Sequence, residues 1–174
     1  MRYEGVARRF LLAAKVGGNR EILDALGEQL VAALLATGFA DGASAVVPVP
    51  AHVWRKLRRG FDPALDLARI VAASFDLPLR RGVLTRSSWP GPASKRLSRA
   101  RRVEAALRVF RARRSAEGER ILLVDDVMTT GATAAACARA LARAGAVEVR
   151  VAVWARTPLI RAPTRRGRLP GGGL

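Results

Sequence analysis

The chain has 174 residues, half of them hydrophobic and only 5% aromatic, which is material for one α/β domain with an Ala, Val and Leu core and not comfortably for two. Its formal charge of +17 is unevenly spread: residues 1–45 carry five basic and five acidic side chains, residues 80–120 carry thirteen basic and three acidic. Arginine outnumbers lysine 28 to 3, a compositional bias that makes a merely solvated face the alternative but cannot by itself leave the first 45 residues neutral. The internal stretch and the five arginines of residues 156–174 read as a basic surface, as an anion-binding face would require.

The single Cys137 excludes an internal disulfide and a thiolate-rich metal site, and the single His52 excludes a metal site built on histidines. Cys137 falls in an Ala-rich helical run, where it reads as a small buried hydrophobe rather than a nucleophile. Arg8 and Arg9 interrupt the first apolar stretch, and no apolar run approaches the roughly 20 residues of a membrane span. A soluble cytoplasmic protein is expected.

In chain order, Val6 to Lys15 predicts a short helix broken at Gly17-Gly18. Glu21 to Ala36 predicts a longer one, with Ile22, Leu26, Leu30 and Leu34 on one face and Gly38 and Gly42 closing it. Ala45 to Pro50 is short, apolar and β-branched, which predicts a buried parallel strand that stops at its prolines. Asp62-Pro63 is a helix start, with Asp as cap and Pro in the first turn, and Leu65, Leu67, Ala68, Ile70 and Val71 supply that helix's core face. Leu77-Pro78-Leu79 leads to a short strand ending near Leu84. Residues 86–98 are polar and interrupted by Pro and Gly, which predicts a mobile loop, followed by a basic helical piece to about Val109 and a linker through Gly118. Val147, Val149, Val151 and Val153 alternate with Glu148, Arg150 and Ala152, as in a half-exposed strand near a sheet edge. Residues 1–156 then form a single domain, and the Pro-, Arg- and Gly-rich residues 157–174 read as a disordered tail. Alternating strands and helices predict an α/β fold: a mostly parallel sheet flanked by helices, with ligands at the carboxyl ends of its strands.

The densest signal is Val124-Asp125-Asp126-Val127-Met128-Thr129-Thr130-Gly131-Ala132-Thr133. The apolar run Ile121 to Val124 ends in two carboxylates, and the helical run Ala134 to Ala144 follows. A buried strand, a tight loop and a helix start can hold a phosphate on backbone N–H groups and the helix dipole. The paired acids then stand where a sugar phosphate offers its ribose hydroxyls. A merely well-capped turn, with Thr129 or Thr130 as N-cap, accounts for part of the pattern. The full order is much more restrictive than a lone Gly-rich loop and favours a site for a phosphorylated ribose.

This motif resembles the phosphoribosyl diphosphate signature of type I phosphoribosyltransferases. With Val47-Pro48-Val49-Pro50, Arg58-Arg59-Gly60-Phe61-Asp62-Pro63, Leu97-Ser98-Arg99-Ala100-Arg101-Arg102 and Phe110, the chain resembles the ComF/GntX family from about Tyr3 to Ala155. The resemblance implies a type I phosphoribosyltransferase-like fold with a mobile active-site loop. It implies that Asp125 and Asp126 bind the ribose hydroxyls and that Met128, Thr129, Thr130, Gly131, Ala132 and Thr133 wrap the 5′-phosphate. Pro50, Ala51 and His52 would face the diphosphate, through Mg²⁺ as cofactor. Lys95, Arg96 and Arg99 are candidates to clamp the leaving diphosphate in catalysis, with a solvated charge run the equal alternative. Trp54 and Trp89 could stack on a base, although packing is the commoner role. The chain departs from the family pattern in lacking its four-cysteine zinc finger, in having Ala93-Ser94 where many members carry Gln, and in having Ala105 near a usual Asn. The position within the phosphate loop that is a carboxylate in purine-directed members is Thr129, a poor general base at neutral pH. Two readings therefore stand. One is a phosphoribosyltransferase acting on phosphoribosyl diphosphate and an unidentified acceptor. The other is a non-catalytic protein that binds a nucleotide or single-stranded DNA and serves DNA uptake with competence-machinery proteins.

Overall fold

The computed structural model describes residues 19–51, 62–86 and 109–157, together with Arg9 and Ala13, both helical. Among the described residues from Arg20 on, eight elements follow one another: α1 (Arg20–Thr37), β1 (Ala45–Pro48), α2 (Pro63–Ser74), β2 (Leu84–Arg86), β3 (Phe110–Ala112), β4 (Arg120–Met128), α3 (Ala132–Arg143) and β5 (Glu148–Arg156). β1, β4 and β5 form a parallel sheet in that order, and β2 and β3 form a separate antiparallel pair. Leu79 extends the parallel sheet beyond β1 by a single bridge to Val46.

Local chemistry accounts for the helix boundaries. The Asn19 side chain accepts from the Ile22 amide at α1's start, and Gly38, at φ 61°, turns the chain out of it. The Asp62 side chain accepts from the Leu65 amide at 3.4 Å with Pro63 in the first turn of α2. α1 buries Leu23, Leu26, Leu30 and Leu34, and α2 buries Leu65, Leu67, Ala68 and Val71. The two helices meet at Gly27, where a Cβ would fall inside the Ile70 side chain.

The sheet divides the core. Leu122 and Val124 of β4, with Ala152 and Trp154 of β5, pack under α1 and α2. Ile121 and Leu123 face the other way, against Cys137, Ala140 and Leu141 of α3 and the β2–β3 pair. Period-two alternation along a strand produces this division.

Three details differ from the sequence-based expectations. The strand expected to end near Leu84 begins there instead, and Phe110–Ala112, expected within a linker, is its partner. β4 does not stop at Val124 but carries both acids and runs to Met128. In β5 the most deeply buried residues are Ala152, Trp154 and Ala155, whereas Val147 is exposed. The valine alternation marked the α3 face only. On the other face Trp154 donates its indole N–H to Gln29 of α1 at 3.3 Å, a cross-element contact invisible to periodicity. The expected helix at Val6–Lys15 lies outside the described residues apart from Arg9 and Ala13, and the tail does so beyond Thr157.

Candidate functional site

β1 and β4 are neighbours, with Pro48 opposite Val124, and the Val49 amide donates to the Val124 carbonyl at 2.9 Å. Pro50–Ala51 and Asp125–Thr133 therefore leave adjacent strands at the same end. From β1 the chain crosses through α2 to Leu79 on one side, and from β4 it crosses through α3 to β5 on the other. A parallel sheet opens a crevice at such a reversal of strand order. Pro50 and Ala51 line it half-buried, and His52 lies outside the described residues.

The acids sit where the strand departs from regularity. Val124 and Val127 both pack on the α1–α2 side although they are three residues apart. Strict alternation would put them on opposite faces. The interruption falls on Asp125 and Asp126 and leaves both half-buried, rather than one inward and one outward. The Asp126 amide donates to Asp125 Oδ1 at 2.9 Å and the Val127 amide to Asp126 Oδ1 at 2.8 Å, which fixes each carboxylate against its own backbone.

Asp125 lies on the α3 side with two further groups. Cys137 is fully buried, and burial, with a smaller contribution from Asp125, pushes its thiol up to about 12, while Arg86 pulls it down. It is a neutral packing residue, as its Ala-rich surroundings indicated. Arg86, the last residue of β2, lies opposite Phe110 with its guanidinium carbon 5.3 Å from that ring's centroid. The described chain breaks off after Arg86 and resumes at Val109, beside the paired strands β2 and β3. Lys95, Arg96, Arg99 and Trp89 fall between the two and lie outside the described residues, as does Trp54.

After Met128 the chain turns through Thr129, Thr130 and Gly131 into α3. Gly131, at φ 76°, is the N-cap, and no side chain caps this helix. The nearest substitute is Thr130 Oγ1, which accepts from the Ala132 amide at 3.4 Å. α1 and α2 each begin with a side-chain cap and an acid in the first turn, whereas the first turn of α3 holds no acid. The well-capped-turn account is left with this one long bond at Thr130. The positive end of α3 is open to an external anion, with Thr129, Thr130, Ala132 and Thr133 exposed around it.

The donor set bears on a metal as well. Among the described residues no group of three or more His, Cys, Asp and Glu could enclose a metal ion. Two carboxylates beside an anion site still suit Mg²⁺, which is commonly held by one or two acids, water and the substrate's phosphates. Of the basic face, Arg111, Arg113 and Arg114 are exposed, while Arg80 is tied to Glu119 and to the Ser115 carbonyl. Sequence reasoning missed Arg86, which belonged to a polar run, and placed Thr157 at the start of the tail. The Thr157 amide in fact donates to the Met128 carbonyl at 2.9 Å, extending the sheet to the start of the loop.

The phosphoribosyl transferase domain family matches residues 57–166. The chain belongs to this family. The matched span includes both acids and the whole Thr/Gly loop. An adenine phosphoribosyltransferase of Kineococcus radiotolerans is 37% identical over 124 residues, covering 71% of this chain and 60% of the relative. Competence protein F of Haemophilus influenzae is 27% identical over 109 residues, covering 62% of this chain and 48% of the relative, in agreement with the ComF/GntX resemblance. The chain spans about half to three-fifths of the length of these curated relatives. Among solved structures, a glutamine phosphoribosylpyrophosphate amidotransferase from B. subtilis, complexed with ADP and GMP, superposes with a TM-score of 0.53 at 27% identity. That match covers 76% of this chain and 26% of the other. The phosphoribosyl transferase domain therefore has the type I fold, with its central parallel sheet flanked by helices.

Proposed function

We propose that this protein binds phosphoribosyl diphosphate with Mg²⁺ at the carboxyl ends of β1 and β4 and transfers the phosphoribosyl group to an acceptor. The observation that carries the reading is the uncapped N-terminus of α3 directly after Asp125 and Asp126. The 5′-phosphate takes the amides and hydroxyls of Thr129–Thr133, and the acids accept hydrogen bonds from the ribose hydroxyls. The acceptor's lone pair attacks C1 of the ribose as the bond to diphosphate breaks, the bonding pair leaving with the diphosphate. Mg²⁺, when bound with the diphosphate beside Asp125 and Asp126, would supply positive charge to the leaving group. Asp125 and Asp126 hold the ribose while positive charge builds on its ring, and the backbone cradle holds the phosphate, so the protein's contribution is position and electrostatics. Lys95, Arg96 and Arg99 act on the diphosphate, and Pro50, Ala51 and His52 border it. The protein works in the cytoplasm; among the described residues no helix is long and apolar enough to cross a membrane.

The similarity to competence protein F, with Thr129 in place of a carboxylate, supports a second reading: a non-catalytic protein that binds a nucleotide or single-stranded DNA during DNA uptake. Calorimetry with phosphoribosyl diphosphate, with and without Mg²⁺, tests the binding common to the enzyme and a nucleotide-sensing protein. The expected result is Mg²⁺-dependent binding, lost in Asp125→Asn/Asp126→Asn with the melting temperature retained. Unchanged affinity in that variant would remove the ribose assignment. Adenine is the first acceptor to assay, given the relative at 37% identity. Release of diphosphate on its addition separates an enzyme from a binding protein.

A further inference from the structure

The two layers that cover the sheet differ in charge. On one side, α1 sets Arg20 against Glu21, Asp24 and Glu28, and α2 pairs Arg69 with Asp66. On the other side lie β2, β3, the turn after them and α3, whose acids among the described residues are Glu117 and Glu119 alone. Glu119 is already taken by Arg80. A coding bias towards arginine would enrich both layers alike, so the difference belongs to the fold.

The unmatched arginines of the second layer gather at one end of it. Arg80 Nη2 donates to the Ser115 carbonyl at 3.3 Å and the Arg113 amide to the Val83 carbonyl at 2.8 Å, which brings Arg81 beside Arg113 and Arg114. The Ala116 amide donates to the Ala144 carbonyl at 2.8 Å, and the Gly118 amide to the Gly145 carbonyl at 3.0 Å. These bonds seat the same turn on the carboxyl end of α3, next to Arg143. Arg81, Arg113, Arg114 and Arg143 are exposed, and none makes an ion pair among the described residues. Arg111 faces the same way as Arg113, about 7 Å back along β3. The phosphate loop stands at the opposite end of α3, about 18 Å away along a helix of 12 residues. The cluster is therefore separate from the ribose-phosphate crevice.

We propose that Arg81, Arg113, Arg114 and Arg143 form a docking surface for the phosphate backbone of double-stranded DNA. Guanidinium groups held on strand, turn and helix meet phosphates as fixed two-pronged donors. Recognition of a single strand adds aromatic side chains on which splayed bases stack. On this layer the aromatic among the described residues is Phe110, which is buried. The surface therefore reads charge and not bases. A duplex offers the denser array, one charge per about 1.7 Å of its axis against about 3.4 Å for one of its strands.

The inference stands without the phosphoribosyl reading. Fluorescence anisotropy with a labelled duplex of about 20 base pairs, and with one of its strands alone, tests it between about 50 and 200 mM salt. The wild type should bind the duplex several-fold more tightly than the single strand. Its log affinity should fall with log salt at a slope of about −3 to −4 or steeper, as four neutralised phosphates require. Arg81→Gln/Arg113→Gln/Arg114→Gln should weaken duplex binding about tenfold or more and flatten that slope by about 3. Arg81→Gln and Arg114→Gln alone, milder changes, should each take about 1 from it. Arg9→Gln/Arg20→Gln/Arg69→Gln removes the same charge elsewhere and should alter the slope by less than about 1. Phosphoribosyl diphosphate, added to a mixture that already contains Mg²⁺, should leave the duplex bound. Equal losses in the two triple variants, with both melting temperatures retained, overturn the proposal, since net charge alone would then drive binding. A single strand bound as tightly as the duplex overturns it too, as does polyglutamate that competes as well as unlabelled duplex at equal charge. Displacement by phosphoribosyl diphosphate would assign the duplex to the ribose crevice and refute the separate surface.

Discussion

Single residues at the site carry constraints that substitution can read out. Gly131 adopts φ 76°, which L side chains reach only with strain, and a Cβ there would meet nothing closer than Met128 Sδ at 3.6 Å. Gly131→Ala is therefore a conformational change without a collision. It should lower stability by about 1–2 kcal/mol in urea denaturation and weaken phosphate binding by tilting the loop amides. Cys137 gives a prediction in pH. Its folded-state value, about 12, lies above the 9.0 of a free thiol. The unfolded chain then loses the thiol proton first, so the stabilising contribution is complete below about pH 9 and disappears as the pH rises towards 12. Unfolding free energy above pH 9 should fall more steeply for the wild type than for Cys137→Ala. At pH 8 the native thiol should resist alkylation until denaturant is added, and rapid labelling of the native protein would contradict its burial. The role of Cys137 was legible from its small-residue surroundings. Arg86 was not, because its meaning depends on Phe110, 24 positions away in sequence.

At the scale of elements, helices were the most legible part of the chain because their boundaries are chemical and local. Asp62-Pro63 and Gly38 are end signals that need no tertiary partner, and both stand where the sequence put them. Asp62→Ala should remove about 1 kcal/mol of stability, measurable as a shift in denaturation midpoint. The α1–α2 crossing depends on one position. Gly27→Ala should destabilise by about 1–3 kcal/mol through overpacking against Ile70, and Ile70→Ala in the same chain should recover part of that loss. A strictly additive double mutant would show that the helices do not meet there. Short strands were harder to read. Three residues of β3 between a basic run and a turn carry no periodic signal, and they become a strand only because Leu84–Arg86 lies beside them.

For the whole molecule, the decisive fact is sheet order. Placing β4 between β1 and β5 brings Pro50–Ala51, Asp125–Thr133 and Arg156–Thr157 to one edge, though they span more than a hundred residues of chain. The central strand also carries the core: Leu122, wholly enclosed under α1 and α2, should cost about 2–5 kcal/mol when truncated to Ala. Net charge is a property of the same scale. On the DNA-handling reading, affinity for single-stranded DNA should fall by an order of magnitude or more between 50 and 200 mM salt, through counterion release, and a flat response would exclude the basic face as its cause. The sequence by itself determined the α/β class, the helices and their caps, the two acids and the loop after them. Each is set by residues within a turn or two of one another, so local propensity and periodicity suffice. Tertiary structure alone decided which strands are neighbours, that the N-cap residue of α3 makes no side-chain bond, that strand alternation breaks at the acids, and that Thr157 pairs with Met128 beyond the end of β5. Those depend on hydrogen bonds and packing between distant segments, which no local pattern encodes.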